Sequence, residues 1–591
     1  MSFFDDASWV LIPEGIKEDV VYAQKPTNGL GDLTFTRASD ATRTNSAGVI
    51  ERTPWNLVTF SEMFTDASWT KTQSTITANT ITAPNGTLTA DTLTASSTFP
   101  RIVQTPTIQA NQSYQISAYA KAGSASVFTI FVSVNSVTLV NNVQYNLSTG
   151  VVTGSGTMQA VGDGWYLCSA TFTVGASTSL PDIRFFNHAQ GVSGGWSGTN
   201  FIYGWGAQLT EGTDAKPYFA TTNRQDVPRL DYRNADGSLN SCPRLLLEPQ
   251  RTNSIRNSTM VGAVAGSPGT ASTNWGQLLI GGLTRTVLGT GTENGLSYVD
   301  IRYNGTATGT SIVLSFETFT GIAAANGQTW TGSFYAKTIA SSPNSFRSII
   351  IEYTSVGGYV TENALNISVS STLNRVTHTY TLAGGATVGR VLNGIVCILT
   401  IGQTYDFTIR IAAPQMELGA TASTFIPTTT AAVTRVIDDA RKTGVASLIG
   451  QTQGTVYMEV SLRDQNIGSF RRLITLSNGT VNNRIQINTT DTNSRLQLTI
   501  TTGGATQAAI LSASPFSGVV KVAVAYDVND IAFYANGVPI GTDTSASIPA
   551  CDQINLGAAF DGGNPFNDSI AQAALFKTRL TNAQLAQLTT I

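Results

Sequence analysis

Gln208-Leu209-Thr210-Glu211-Gly212-Thr213-Asp214-Ala215-Lys216-Pro217-Tyr218-Phe219-Ala220-Thr221-Thr222 has a counterpart later in the chain. The counterpart is Gln415-Met416-Glu417-Leu418-Gly419-Ala420-Thr421-Ala422-Ser423-Thr424-Phe425-Ile426-Pro427-Thr428-Thr429. Upstream, Tyr119-Ala120-Lys121 is echoed by Tyr335-Ala336-Lys337. Tyr119 and Tyr335 lie 216 positions apart, and Gln208 and Gln415 lie 207 apart. Nearly equal offsets mean one module used twice. A duplicated module points to a displayed binding or building unit rather than to a single catalytic body.

Around this repeat the pattern is that of strands. Tyr114–Lys121, Phe407–Ile411, Arg484–Asn488 and Arg495–Ile500 alternate apolar and polar residues and are rich in Thr, Ile, Leu and Tyr. Such period-two runs read as half-buried antiparallel strands. Turn dipeptides recur between the strand-like runs: Asn85-Gly86, Asp163-Gly164, Asp236-Gly237, Asn304-Gly305 and Asn536-Gly537. The expected fold class is all-β, built of tandem antiparallel sandwiches or jelly rolls. The clearest helix signal is Thr581 to Leu588, which begins at Thr581-Asn582.

Five segments follow: a leader at 1–55, a first module at 56–225, a connector at 226–253, a second module at 254–436 and a different sandwich at 437–591. The 591 residues allow three to five domains. Charged residues are 12% of the chain, against roughly 25% in soluble proteins. With 41% hydrophobic residues the chain can pack cores, and neutral polar side chains must cover its surface. The net charge is −3 and no basic block is present, which argues against nucleic acid as a partner. No apolar run approaches the length of a membrane span, so membrane insertion is not expected. The acidic start Met1-Ser2-Phe3-Phe4-Asp5-Asp6 is unlike a secretory signal, so synthesis in a cytoplasm without ordinary export is expected. Cys168, Cys242, Cys397 and Cys551 are widely spaced and read as buried free thiols.

Several stretches resemble segments of known proteins. Leu11–Asp19, Thr36-Arg37-Ala38-Ser39-Asp40-Ala41-Thr42-Arg43 and Gly48–Glu51 resemble a segment common in phage virion proteins, including those of crAss-like gut phages. So do Pro228-Arg229-Leu230-Asp231-Tyr232 and Leu246-Leu247-Glu248-Pro249-Gln250-Arg251-Thr252-Asn253. Gly162-Asp163-Gly164-Trp165-Tyr166 and Tyr203-Gly204-Trp205-Gly206-Ala207-Gln208-Leu209 resemble phage jelly-roll modules of the carbohydrate-binding type. Val522–Asp527, Phe533–Ile540, Phe566–Ile570 and Leu575–Leu585 resemble concanavalin A-like, laminin-G-type sandwiches. These resemblances imply a virion fibre or appendage (head, collar or tail), assembled in a host cytoplasm. It would be a homotrimer contacting other virion proteins and host-surface or mucosal glycans. The alternatives are a non-adhesive decoration or connector and a polysaccharide-degrading spike.

Catalytic signals are few. His188 and His378 are the whole histidine supply, and no Gly-x-Ser-x-Gly elbow accompanies them. Zinc would need clustered His or Cys ligands. Sandwich glucanases carry Glu-x-Asp-x-x-Glu on one strand; no Glu-x-Asp occurs here, and Glu459 with Asp464 does not fit. A non-enzymatic chain without a cofactor is therefore expected.

Sugar sites use aromatic rings as flat platforms ringed by polar groups. All eight tryptophans precede residue 331. Trp196, flanked by glycines and serines, reads as a loop residue that either packs within its loop or contacts a ligand or partner, and it is the leading carbohydrate candidate. Trp165, Tyr166 and Trp205 are further candidates, although their strand-like settings also fit a core. The second copy has Ile411 or Ala412 near the place of Trp205, which makes the first copy the expected glycan site. Trp9 and Trp55 would anchor the leader. For calcium, the oxygen-rich loop with Asp561, Asn564 and Asp568 is the candidate, a plain polar turn being the alternative; Asp527 and Asp530 are candidates of the same kind, and the loop lacks EF-hand spacing.

Overall fold

The computed structural model describes residues 3–97, 99–109, 112–175, 181–185, 199–234, 237–319, 321–340, 345–462, 470–490 and 494–591. The chain is all-β, and its strands pair antiparallel. Described helix is confined to Phe3–Asp6, a single turn at Ala446–Leu448 and Asn582–Thr589. The last begins with a reciprocal capping box between Thr581 and Gln584.

Period-two alternation places the core. Ser113–Ala122 turns Tyr114, Ile116, Ala118 and Ala120 inward, each 0% exposed. Asp163-Gly164 and Asn536-Gly537 close hairpins with positive φ at both central positions, the geometry that matches strand twist. Asn304-Gly305 differs from expectation. It lies inside the strand Leu296–Thr306, which stays in register with Thr404–Leu418 through both residues. The hairpin is closed instead by Asn294 (φ 50°) and Gly295 (φ 78°).

The chain divides into two compact units. One holds Lys17–Asp19 and Thr53–Val227. It is a sandwich of two six-stranded sheets. The first sheet runs Val151–Thr153, Val137–Asn146, Val127–Val134, Pro181–Phe185, Arg101–Gln104, Thr70–Thr72. The second runs Gly156–Gly162, Trp165–Thr173, Ser113–Ala122, Phe201–Glu211, Ala90–Ala95, Ser74–Ile81.

The other unit holds Met1–Ile16, Val20–Arg52 and Pro228–Ile591. It contains the second repeat and the C-terminal sandwich. The second repeat again has two sheets. One orders Gly276–Ile280, Ser311–Ser315, Val388–Ile398, Phe346–Thr354, Tyr359–Ile367; the other orders Thr284–Glu293, Leu296–Thr306, Thr404–Leu418, Thr329–Ala340, Asn374–Thr381.

The repeat holds residue by residue. Tyr119 faces Trp205 and Tyr335 faces Ala412, each pairing following a bulge in the same strand. One buried asparagine organises each copy. Asn56 donates to the carbonyls of Ala207 and Phe219 and accepts from the amides of Val58 and Leu209. Asn253 donates to Pro414 and Ile426 and accepts from Ile255 and Met416. Ser61 with Thr221, and Ser258 with Thr428, make the same contacts at the exit of each copy.

Leader and connector are not separate segments. Trp9–Leu11 pairs with Asp568–Phe576, and Leu33–Thr36 pairs with Asp439–Lys442. From the connector, Arg229–Arg233 pairs with Leu239–Leu247, which pairs in turn with Asp568–Phe576. Trp9, Leu33, Phe35, Leu245 and Leu247 share one core with Val456, Leu476 and Val524. The physical reason is edge closure: without these strands the sandwich begun at residue 437 would expose unpaired sheet edges. Trp9, 0% exposed, donates to the carbonyl of Gly31 within that core, while Trp55 packs against Phe219 within the first module. Cys168, Cys397 and Cys551 are buried free thiols; Cys242 is free but exposed.

Leader, connector and the stretch around residues 435–438 meet at a buried ionic joint. Arg37 pairs with Asp438, and Arg229 bridges Asp438 and Glu248. Arg435 also holds Glu248, at 2.6 Å. All five residues are at most 2% exposed. Burial alone would raise the two carboxyls; the guanidiniums outweigh it and hold both below their ordinary range. Thr424 joins by donating to Glu248. These motif residues therefore hold four chain segments together.

Candidate functional site

The sequence-predicted aromatic contacts are dispersed or covered. Trp196 and His188 lie outside the described residues. Trp165 and Trp205 are 2% and 3% exposed. They lie with Ala83 and Ala90 in a small cluster, flanked by Tyr119, Tyr203 and Tyr218 and separate from the main sandwich core. Trp165 Nε1 donates to the carbonyl of Thr82 and Trp205 Nε1 to Thr89 Oγ1, both in the stretch that covers them. Buried rings with satisfied N–H groups are packing groups and offer no open platform. Tyr166 is half-buried and packs against the core of its sandwich.

The calcium candidates do not converge. Asp568 is 0% exposed, in a strand, with Arg471 Nη1 3.7 Å away. Asp561 and Asn564 lie on the exposed loop before it, where Asp561 accepts from the amide of Gly563. Among the described residues no group of three His, Cys, Asp or Glu could hold a metal ion. His378 is buried among Ser348 and Asn363, at 3.3 and 2.8 Å from its ring nitrogens; burial pushes it down to about 4, so it is neutral in the fold.

An exposed aromatic surface exists instead in the second repeat. The strand Phe346–Thr354 carries apolar residues in both phases. Phe346 and Ile350 enter the sandwich core, while Ile349, Ile351 and Tyr353 belong to an apolar layer on the opposite face. That layer adds Val313, Leu392 and Val396 from neighbouring strands. A hairpin turn, Thr354 to Gly358, then brings Tyr359 opposite Tyr353. Phe319 completes a row: ring centroids are 6.2 Å apart from Phe319 to Tyr353 and 6.2 Å from Tyr353 to Tyr359. Gly357, at φ 90°, lets the turn approach Phe319; a Cβ there would stand 2.6 Å from its ring.

Phe319 is 46% exposed, Tyr359 62% and the neighbouring Val356 87%. Polar groups flank the row. Glu362 stands opposite Ile351, and Arg390 stands opposite Tyr353 and donates to the carbonyl of Ser355 at 3.0 Å. Burial, then the Glu362 charge, raises the Tyr353 phenol, which stays a donor at neutral pH. Rings on an apolar floor, with a carboxylate, a guanidinium and phenols at the side, can stack on the flat face of a sugar and hydrogen-bond its hydroxyls. In the sequence, Tyr353-Thr354-Ser355-Val356-Gly357-Gly358-Tyr359 carries the signal: a Gly-Gly turn flanked by tyrosines.

Residues 438–586 match the family model described as the concanavalin A-like lectin/glucanases superfamily, of laminin-G type. Among curated proteins none matches the sequence. Solved structures that it resembles include the carbohydrate-binding module of the Ruminococcus gnavus IT-sialidase bound to α2,3-sialyllactose, at 22% identity, TM-score 0.22, over 25% of this chain and 86% of that one. A family 4 carbohydrate-binding module is 20% identical, TM-score 0.19, over 28% of this chain and 99% of that one. The tandem family 22 modules of Paenibacillus barcinonensis Xyn10C are 11% identical, TM-score 0.18, over 61% of this chain and 97% of that one. At such scores these likenesses carry no argument about the ligand.

Proposed function

We propose that this chain is a non-enzymatic glycan-binding protein that serves as an adhesive appendage of a phage virion, a head, collar or tail fibre. The observation that carries the binding reading is the pair of exposed rings Phe319 and Tyr359 on either side of half-buried Tyr353, flanked by Glu362 and Arg390. Large exposed apolar groups in a contiguous row mark interaction surfaces. The C-terminal match to a lectin-like superfamily agrees with it. The virion reading rests on the leader and connector stretches quoted above. A homotrimer would multiply shallow single contacts by copy number.

Retention on a glycan array tests the binding reading. The wild type should be retained and F319A/Y359A should lose at least tenfold; equal retention of both, or none by the wild type, sinks it. EDTA should leave retention unchanged, because this row uses no metal. Adsorption of particles with and without the protein tests the virion role.

One observation favours a second reading, a connector without a ligand. The signature-bearing segments are used for the buried Arg37–Asp438–Arg229–Glu248–Arg435 joint, a structural task. That reading predicts no glycan retention at all.

A further inference from the structure

The two repeats differ most where the first copy is filled. Tyr119, Trp205 and Tyr218 pack together there, with ring centroids 4.7 to 5.9 Å apart. The second copy has Tyr335, Ala412 and Phe425 at these places. Replacement of an indole by a methyl group empties volume beside the sheet. The leader enters it: Ile50 joins the Tyr335, Ala412 and Phe425 cluster, and its amide bonds to the carbonyl of Asn294. The filling is incomplete. A small cleft of about 30 Å³, partly open to solvent, remains among Arg43, Asp231, Arg233, Tyr335, Arg375 and Phe425.

Its charges are unbalanced. Arg43 is held by Glu51. Both oxygens of Asp231 are taken, accepting from the amides of Thr44 and Arg233. Arg375 donates only to neutral groups, Ser333 Oγ at 2.9 Å and the carbonyl of Ser423 at 2.7 Å. The Arg233 guanidinium makes no hydrogen bond or ion pair among the described residues, and the Nε atoms of Arg233 and Arg375 are both covered and unbonded. Two guanidiniums thus line one cleft without a carboxylate of their own, Arg375 also lying over the buried Tyr335 ring at 5.9 Å. Guanidinium forks match planar oxyanions, and a cleft this small admits the oxyanion alone.

We propose that this cleft binds an oxyanion carried on a sugar ring, the carboxylate of an acidic sugar or a sulfate ester. The site goes beyond the aromatic row and does not depend on it. The oxyanion would enter against Arg233 and Arg375, with the sugar ring outside the cleft.

Calorimetric titration of the full chain with sialyllactose, a galacturonic acid trimer, lactose 3'-sulfate and lactose tests this. An acidic probe should bind at least tenfold tighter than lactose, and that preference should fall as salt is raised from 50 to 300 mM. R233A should lose the preference at least tenfold and R233K in part, both unfolding at the wild-type temperature because Arg233 holds nothing in place. Comparison of the carboxylated and sulfated probes identifies which oxyanion is recognised. Y359A, which abolishes the aromatic row, should leave the acidic preference intact, so the two readings fail separately. No preference for any acidic probe, or an R233A that keeps it, overturns the proposal.

Discussion

Asn56 and Asn253 each satisfy four backbone groups that would otherwise be buried without partners. N253A should therefore lower stability by about 1–3 kcal/mol, read as the urea midpoint of the transition that reports the second repeat. Retention of the wild-type midpoint would remove the asparagine from this role. His378 gives a pH signature. Its folded value is about 4, below the ordinary 6.5, because burial disfavours the charged ring. The unfolded chain binds a proton in that window that the folded chain refuses, so this contribution is complete above pH 6.5 and is lost as pH falls toward 4. Between pH 7 and 5 the wild type should lose more of its midpoint than H378Q does. Neither role was legible in advance. Asn253 sits in a stretch that reads as a connector, and a histidine in an alternating strand carries no mark of what it faces.

Elements explain why two copies of one module differ. The strands Phe201–Glu211 and Thr404–Leu418 run in the same place, yet one presents Trp205 and the other Ala412. Under Trp205 the stretch from Ile81 to Ala90 folds over and closes the first copy upon itself. Beside Ala412 the leader residue Ile50 fills the space. W205A should cost about 3–5 kcal/mol as an unfilled cavity. A412W should displace the leader, and limited proteolysis should then cut between Arg43 and Arg52 at least tenfold faster than in the wild type. Unchanged cleavage would show that the leader is held by other contacts alone. Strand identity was readable from alternation because side-chain period is a local property. The turn at Asn294-Gly295 was missed in favour of Asn304-Gly305, since both dipeptides suit a turn and pairing with Thr404–Leu418 chose between them.

At the scale of the molecule, the buried joint ties leader, connector, second repeat and C-terminal sandwich. Loss of one member leaves the opposite charge buried and uncompensated. E248Q, which leaves Arg229 and Arg435 without their shared carboxylate, should destabilise this unit by about 3–5 kcal/mol, measured by calorimetry. Glu248 and Asp438 titrate below their ordinary values in the fold, so their stabilisation is present above about pH 4.5 and is lost as pH falls below it. The transition temperature of the wild type should drop more steeply than that of E248Q below pH 4.5. By itself the sequence determined the all-β class, the duplication and the lectin-like character of the C-terminal segment, because period, repeat and motif are written in neighbouring residues. Tertiary structure alone decided that the leader and connector motifs are structural joints, that Trp165 and Trp205 are covered, and that Phe319 and Tyr359 stand exposed on either side of half-buried Tyr353. Those outcomes depend on strand register and on which chain segment covers which face. Residues far apart in the chain settle them through packing, which no local pattern records.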